Sequence, residues 1–247
     1  MNSEDDPWWV KEQFWKDFEP GENRIKKASE EVEKILTLVN VDEESKILDL
    51  CCGVGRHSVE LAKKGHHVTG VDITSYNLEK AKKRAKRSDV DLNLIQKDMR
   101  DYSKPMYFDM VLNLWTSFGY FEKEQENQKV LNNVYCSLKD GGEFLIDLMG
   151  KEITARIFKE KDWLQTDDGF ILVQRSIENG WERSVDRRVK IGSEGISEYE
   201  MKVNLYSGKE LKQKLEKAGF TDIRLYGTWE GGPYDEEAER LIAVSRK

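Results

Sequence analysis

Residues 46–58, Lys-Ile-Leu-Asp-Leu-Cys-Cys-Gly-Val-Gly-Arg-His-Ser, run from an apolar stretch of strand length through two glycines into a helical pattern over 58–64. Asp49 sits inside the apolar stretch, and Gly53 and Gly55 form the turn. Glycine belongs there because a side chain would hold a ligand off the backbone, and because a strand-to-helix turn asks for dihedrals that other residues resist. The stretch therefore reads as a ligand loop. A dinucleotide fingerprint would need a third glycine where this chain has Ser58, so the pyrophosphate reading lacks its helix-packing glycine.

The segments that follow repeat the theme of a strand ending in an acid. His67 to Asp72 reads as a second strand whose terminal carboxylate, about twenty residues beyond the loop, is placed to accept from a ribose diol. Asp98 and Asp101 follow a third strand pattern, 108–114 makes a fourth, and an aromatic loop, Trp115-Thr-Ser-Phe-Gly-Tyr-Phe121, follows directly. A Lys139-Asp-Gly-Gly142 turn then leads into a fifth strand at 143–148.

Taken together, Asp49, Gly53, Gly55, Asp72, Asp98 and the 115–121 loop resemble the class I S-adenosylmethionine-dependent methyltransferases. Among these the chain is most similar to the small-molecule type, which includes the aminosugar N,N-dimethyltransferases and glycine N-methyltransferase. It departs from the usual D-x-G-x-G-x-G loop in having Cys51 at the first glycine position. The resemblance implies an α/β Rossmann-like fold, a seven-stranded mostly parallel sheet with helices on both faces, carrying an antiparallel β insert. It also implies S-adenosyl-L-methionine as cofactor, with S-adenosyl-L-homocysteine as product.

Residue roles carry over in the same way. Asp72 would hold the ribose hydroxyls, Asp98 the adenine amino group and Asp49 the ammonium group, while Gly53 and Gly55 would admit the methionine portion. Cys51, Arg56, Ile73, Met99, Asn113 and Leu114 would complete the cofactor's surroundings, and Arg24 is either a ligand of its carboxylate or an ordinary surface arginine. Trp115, Ser117 and Tyr120, with Trp15, Trp229 and Tyr234, would face the methyl acceptor, although each aromatic is read equally well as packing. An amine or hydroxyl acceptor must lose a proton, for which Tyr120 and His57 are the candidate catalytic groups.

Beyond the fifth strand the period changes. Residues 170–177, 181–191 and 196–206 read as strands joined by an Asn179-Gly180 hairpin signal and a Gly192-to-Gly195 turn. Ser207 then caps a helix over 209–218 ending at Gly219, and strands at 221–226 and 241–244 close the core. The expected organisation is an N-terminal helical lid over 1–40, a cofactor-binding core over 41–150 and 206–247, and an insert over 151–205. The insert either covers the active-site mouth or makes a dimer contact. The five aromatics Trp8, Trp9, Phe14, Trp15 and Phe18 fit a lid over cofactor and substrate as well as a terminal helix docked on the sheet. One helix is read from Ile25 to Leu36.

Composition narrows the function. A net charge of −7 argues against a surface built to embrace nucleic acid. The cations of 76–87 lie around a Leu78, Ala81, Ala85 stripe, as on a solvated helix face. Neither the three cysteines nor the three histidines show metal-ligand spacing, so no metal site is expected. An Asn/Asp-Pro-Pro-aromatic loop and a Pro-Cys nucleophile are both absent, which moves nucleic-acid bases down the order. No window approaches the roughly eighteen apolar residues of a membrane span, and the acidic N-terminus lacks a signal peptide's basic region, so a cytoplasmic monomer or homodimer acting on a small molecule is expected. The alternatives are an RNA or protein methyltransferase and, less favoured, a nicotinamide-dependent oxidoreductase.

Overall fold

The computed structural model describes residues 6–247; residues 1–5 of the expected lid segment lie outside the described residues. Strands β1 (Lys46–Leu50), β2 (His67–Asp72), β3 (Asn93–Gln96), β4 (Phe108–Asn113) and β5 (Leu138–Leu148) pair in parallel. The last two strands along the chain, β10 (Thr221–Tyr226) and β11 (Leu241–Arg246), join them antiparallel through β11 and β5. The order is β10-β11-β5-β4-β1-β2-β3, a seven-stranded, mostly parallel sheet.

Helices cover both faces because successive strand residues point to opposite sides and both sides here are apolar. Leu48, Val111, Phe144, Ile146 and Ala243 pack with Val130, Leu131 and Val134 of α6 (Glu124–Ser137) and with Leu211 and Leu215 of α8 (Gly208–Ala218). Their neighbours Ile47, Met110, Leu112, Leu145 and Val244 pack on the other face with Val32 and Ile35 of α3 (Ala28–Leu38) and Leu61 of α4 (Arg56–Lys63). Helix α5 (Ser75–Arg87) buries Ala81 and Ala85. Helix α8 starts with a capping box between Ser207 and Glu210 and ends at Gly219 with φ 107°.

The insert departs from its expected outline. It is a four-stranded antiparallel sheet of β6 (Lys161–Thr166), β7 (Gly169–Glu178), β8 (Arg183–Gly192) and β9 (Gly195–Asn204), preceded by α7 (Lys151–Ile157). Three strands were legible; β6 was not, because it is a short edge strand whose residues alternate weakly and stay mostly exposed. The Asn179-Gly180 turn spans four residues, since Trp181 is also left-handed (φ 74°) and packs edge-on against Phe158 at 5.7 Å. At the N-terminus the single helix expected from 25 to 36 is broken at Lys27 into α2 (Glu22–Lys26) and α3. The expected 139–142 turn lies within β5 as an irregularity in its ladder with β4.

The aromatic N-terminal segment is held between the two sheets. Trp8 and Trp9 contact Tyr120 with ring centroids 4.7 and 5.9 Å apart, and Phe14 of α1 (Glu12–Asp17) meets Tyr199 of β9 at 5.3 Å. Polar clamps flank these rings. Asp17 accepts from Tyr199 at 2.6 Å and from Lys190 at 3.2 Å, while Glu19 accepts from Tyr76 at 2.6 Å and Lys80 at 2.9 Å on α5. Burial alone would raise both carboxyls, but these donors outweigh it and hold both below their ordinary values.

Candidate active site

Strand order reverses between β1 and β4, the point where open α/β sheets bind ligands beyond the strands' carboxyl ends. A cavity of about 200 Å³ lies there, walled by the β1–α4 loop, the ends of β2 and β3, the loop after β4, and the N-terminal segment. The loop turns through left-handed conformations at Cys51 (φ 66°), Gly53 (φ 54°) and Gly55 (φ 71°). A Cβ on Gly53 would meet nothing within 4 Å, so its bare Cα opens the cavity to backbone approach. Gly55 does not line the cavity. A Cβ there would lie 2.7 Å from the Cβ of Ala81, so this glycine lets α5 pack against the loop and its expected ligand role gives way to packing.

The three strand-tip acids converge on the cavity in different states. Asp49 is 2% exposed and accepts from Ser58 Oγ at 2.5 Å; burial pushes its carboxyl up against the pull of His57, Ser58 and Arg56. Asp72 is also pushed up by burial, although its Oδ1 accepts from Thr74 N (3.0 Å), Thr74 Oγ1 (2.9 Å) and Asn77 Nδ2 (3.2 Å). Its Oδ2 accepts only from Gly53 N at 2.9 Å, which leaves it capacity for a ligand hydroxyl. Asp98 is gripped by Arg100, whose Nη2 lies 2.7 Å from Oδ2 and whose Nη1 lies 2.6 Å from Glu126.

Around these acids the cavity gathers Cys51, Arg56, His57, Ile73, Met99, Leu114 and Ser117 from the core and Trp15 and Arg24 from the N-terminal segment, with Trp115 and Tyr120. Both loop thiols are pushed up by burial and by the neighbouring acids, so Cys51 and Cys52 stay protonated and inert. His57 is not free: its Nε2 lies 2.7 Å from Glu31 Oε2, which also pairs with Arg56. Burial pushes the Tyr120 phenol far above its ordinary value, so it stays protonated. Asn113 lies behind the wall, buried at 1%, with its Nδ2 donating to Leu50 O at 3.2 Å. It braces β4 against β1 and does not reach the cavity.

A second cavity, of about 670 Å³, opens between the core and the insert. It shares Trp15, Phe18, Arg24, Trp115 and Tyr120 with the first, so one aromatic and guanidinium wall divides the two. The first is smaller than the roughly 300–1,000 Å³ of ordinary ligand pockets and the second lies within that range. This geometry suits two ligands meeting at Trp115 and Tyr120.

Known proteins are similar to this chain in sequence and fold. Residues 47–142 match the family model described as a methyltransferase domain. The chain is 25% identical to a glycine/sarcosine N-methyltransferase of Aphanothece halophytica, over 90% of this chain and 83% of that one. The structure of the CcbJ methyltransferase of Streptomyces caelestis superposes with a TM-score of 0.78 at 16% identity, covering 97% of both chains. The S-adenosylmethionine-bound amino pentose methyltransferase CalS10 of Micromonospora echinaspora does so with 0.65 at 16% identity, covering 96% of both. The chain belongs to the class I S-adenosylmethionine-dependent methyltransferases. Its cofactor is S-adenosylmethionine, and the strand-tip acids around a bare glycine fit that group.

Two residues expected at the methyltransferase's acceptor site are elsewhere. Trp229 packs with the core beneath α3. Tyr234 lies over Gly150 and Gly208 and donates to Glu152 at 2.7 Å. Neither lines either cavity, because the 227–237 connection folds back on the sheet edge through a Tyr226–Pro233 bridge.

Several polar groups of this methyltransferase had no motif to announce them. Asp147 of β5, fully buried, binds Arg240 through Nε at 2.6 Å and Nη2 at 2.9 Å and accepts from Trp115 N at 2.9 Å. It fixes Trp115 and Thr116 in consecutive left-handed conformations, φ 57° and 58°, which non-glycine residues adopt only when tightly held. Arg24, Arg56 and Arg240 surround the Trp115 ring at 4.3, 4.8 and 5.3 Å from its centroid. A lone acid in the apolar run 143–148 was the one available signal; Arg240 and Glu31 had none, since sequence spacing does not show what the fold brings together. Among the described residues no helix is long and apolar enough to cross a membrane, and no group of acids, histidines or cysteines is arranged to hold a metal.

Proposed function

We propose that this methyltransferase moves a methyl group to a nitrogen or oxygen atom of a small molecule by direct in-line transfer. The observation that supports it is the shared wall: one cavity bounded by strand-tip acids, a second bounded by the insert, and Trp115 with Tyr120 between them. The first accommodates the cofactor, with Asp72 at the ribose, Asp98 near the adenine, Asp49 and Arg24 toward the ammonium and carboxylate ends, and the open side of Gly53 beneath. The second accommodates the acceptor. Bound S-adenosylmethionine supplies an already activated methyl group, so the chain's own task is alignment and exclusion of water, which can be worth several orders of magnitude.

The residues divide that task. Asp147 and Arg240 fix the Trp115 loop, and the N-terminal rings close over both cavities. Tyr120, kept protonated, orients the acceptor by hydrogen bonding and does not remove its proton; His57 is held by Glu31 on the cofactor side and does not line the acceptor cavity. An amine acceptor that enters neutral needs no strong base. The N-terminal segment acts as the lid and the insert as the wall of the acceptor chamber. The test supplies methyl-labelled cofactor to the low-molecular-weight, RNA and protein fractions of a cell extract. Label is expected in the first; label confined to RNA or protein would overturn the proposal.

A further inference from the structure

The acceptor chamber is built unequally with respect to charge and hydrogen bonding. Its wall carries Arg24, Lys159, Arg175 and Arg188 against only Asp162 and Asp186, an excess of cations. The two carboxylates are largely spent on one arginine. Arg175 lies 3.5 Å from Asp186 and 3.9 Å from Asp162, and Asp186 also accepts from Ser184 at 2.9 Å. Arg188 lies over the Phe18 ring at 5.5 Å and has one long ion-pair contact, 3.5 Å from Asp186; its side chain is 29% exposed, and its Nε is buried with no partner. Buried donors are normally paired, and an unpaired one in a cavity wall is open to an acceptor from a ligand.

The same bias recurs in the neutral groups. Among the described residues, the buried neutral polar atoms without a partner include Trp8 Nε1, Trp115 Nε1 and Thr154 Oγ1, all on residues that line this chamber. Every one of them can donate. The unpartnered atoms that can only accept, Asn113 Oδ1 and Gln128 Oε1, belong to residues outside its wall. Register places Arg188, Asp186 and Ser184 on the face of β8 that turns toward the core, beside Arg175 of β7, so the insert presents this cationic patch opposite the wall that holds Trp115 and Tyr120.

We propose that the methyl acceptor carries an anionic group, a carboxylate or a phosphate, that binds Arg188 of the insert while its nucleophilic end lies at the Trp115 and Tyr120 wall. The inference rests on the reading of this cavity as the acceptor's. A planar oxyanion matches the guanidinium's fork and supplies the acceptors that the chamber lacks. A free cationic acceptor would meet the excess positive charge instead. The insert is thereby a specificity element that selects for anion-bearing acceptors.

The experiment uses the full chain saturated with S-adenosylhomocysteine, so that the cofactor's own carboxylate position is filled, and titrates inorganic phosphate and acetate in separate arms. Binding is read from the indole N–H resonances of the seven tryptophans, with Trp115 assigned by its loss in Trp115→Phe. At least one anion is expected to saturate with a millimolar dissociation constant. Arg188→Gln should weaken it at least tenfold and Arg188→Lys less, while Arg187→Gln, on the opposite face of β8, should leave it unchanged. A preference for phosphate points to a phosphorylated acceptor and a preference for acetate to an amino or hydroxy acid. If neither anion saturates, or Arg188→Gln binds as the parent does, the proposal is overturned even with S-adenosylhomocysteine binding intact; failure of S-adenosylhomocysteine itself to bind would instead overturn the reading of the cofactor cavity.

Discussion

Replacing Asp147 by alanine tests how the wall between the cavities is held. The carboxylate is fully buried, makes a two-bond contact with Arg240, and accepts the Trp115 backbone N–H. Removing one partner of a buried pair leaves the other charge uncompensated, a loss of roughly 3–5 kcal/mol. For a domain of this size each kcal/mol lowers the melting temperature by about 2–4 °C, so a fall of roughly 6–20 °C is expected in a thermal melt. Activity should suffer independently of stability. Thr116 N donates to the backbone carbonyl of Asp147, which the variant keeps, but the left-handed pair at 115 and 116 loses its side-chain anchor. A displacement of about 1 Å at the reacting centre can cost roughly 100-fold in rate. Turnover measured well below the new melting temperature should fall by about that factor with S-adenosylhomocysteine affinity changed much less. A double variant, Asp147→Leu with Arg240→Met, should recover part of the stability and none of the turnover. A melting temperature within about 2 °C of the parent, or full turnover in Asp147→Ala, would refute the reasoning.

Four other outcomes follow from the site. Asp72→Ala should weaken S-adenosylhomocysteine binding by roughly 10- to 100-fold, the scale of one hydrogen bond to a charged group, whereas Trp115→Ala should leave it nearly intact and impair turnover; calorimetry separates the two. Gly53→Ala places a methyl in the open side of the cavity and should reduce cofactor affinity, while Gly55→Ala meets Ala81 at 2.7 Å and should chiefly lower the melting temperature. Tyr120→Phe should lower the rate without moving the pH profile, because a phenol held this far above its ordinary value is not titrated in the working range. Asp17 and Glu19 are held below their ordinary values, 3.8 and 4.5, so the stability they lend the N-terminal clamp is complete above those values and is lost as pH falls through the lowered ones. Acid titration of the fluorescence of Trp8, Trp9 and Trp15 should show the segment loosening only below about pH 4.5, and Asp17→Asn combined with Glu19→Gln should remove that step.

The parts of the fold that local pattern controls were legible. The glycine turn, the acids at strand ends, the Ser207 cap and the Gly192-to-Gly195 turn are each set by dihedral or hydrogen-bonding demands that a few adjacent residues meet on their own. The resemblance then supplied the seven-stranded, mostly parallel sheet, which no local pattern contains. What stayed hidden is what packing decides. Gly55 and Gly53 look alike in sequence, yet one is bare toward α5 and the other toward the cavity. Asn113, at the end of a core strand, braces its neighbour from behind the wall. Trp229 and Tyr234 lie on a connection whose course depends on the sheet edge it folds against. Arg188 and Arg240 are charged residues in unremarkable settings, and only the fold brings Arg240 to Asp147 and sets Arg188 in the cavity between insert and core.

The most direct measurement is a crystal structure of the full chain grown with S-adenosylhomocysteine. The ribose is expected at Asp72, the adenine beside Asp98, and the homocysteine over Gly53 with its sulfur facing the Trp115 and Tyr120 wall. Density for that molecule between the insert and the core, or on a surface away from the β1–α4 loop, would contradict the account.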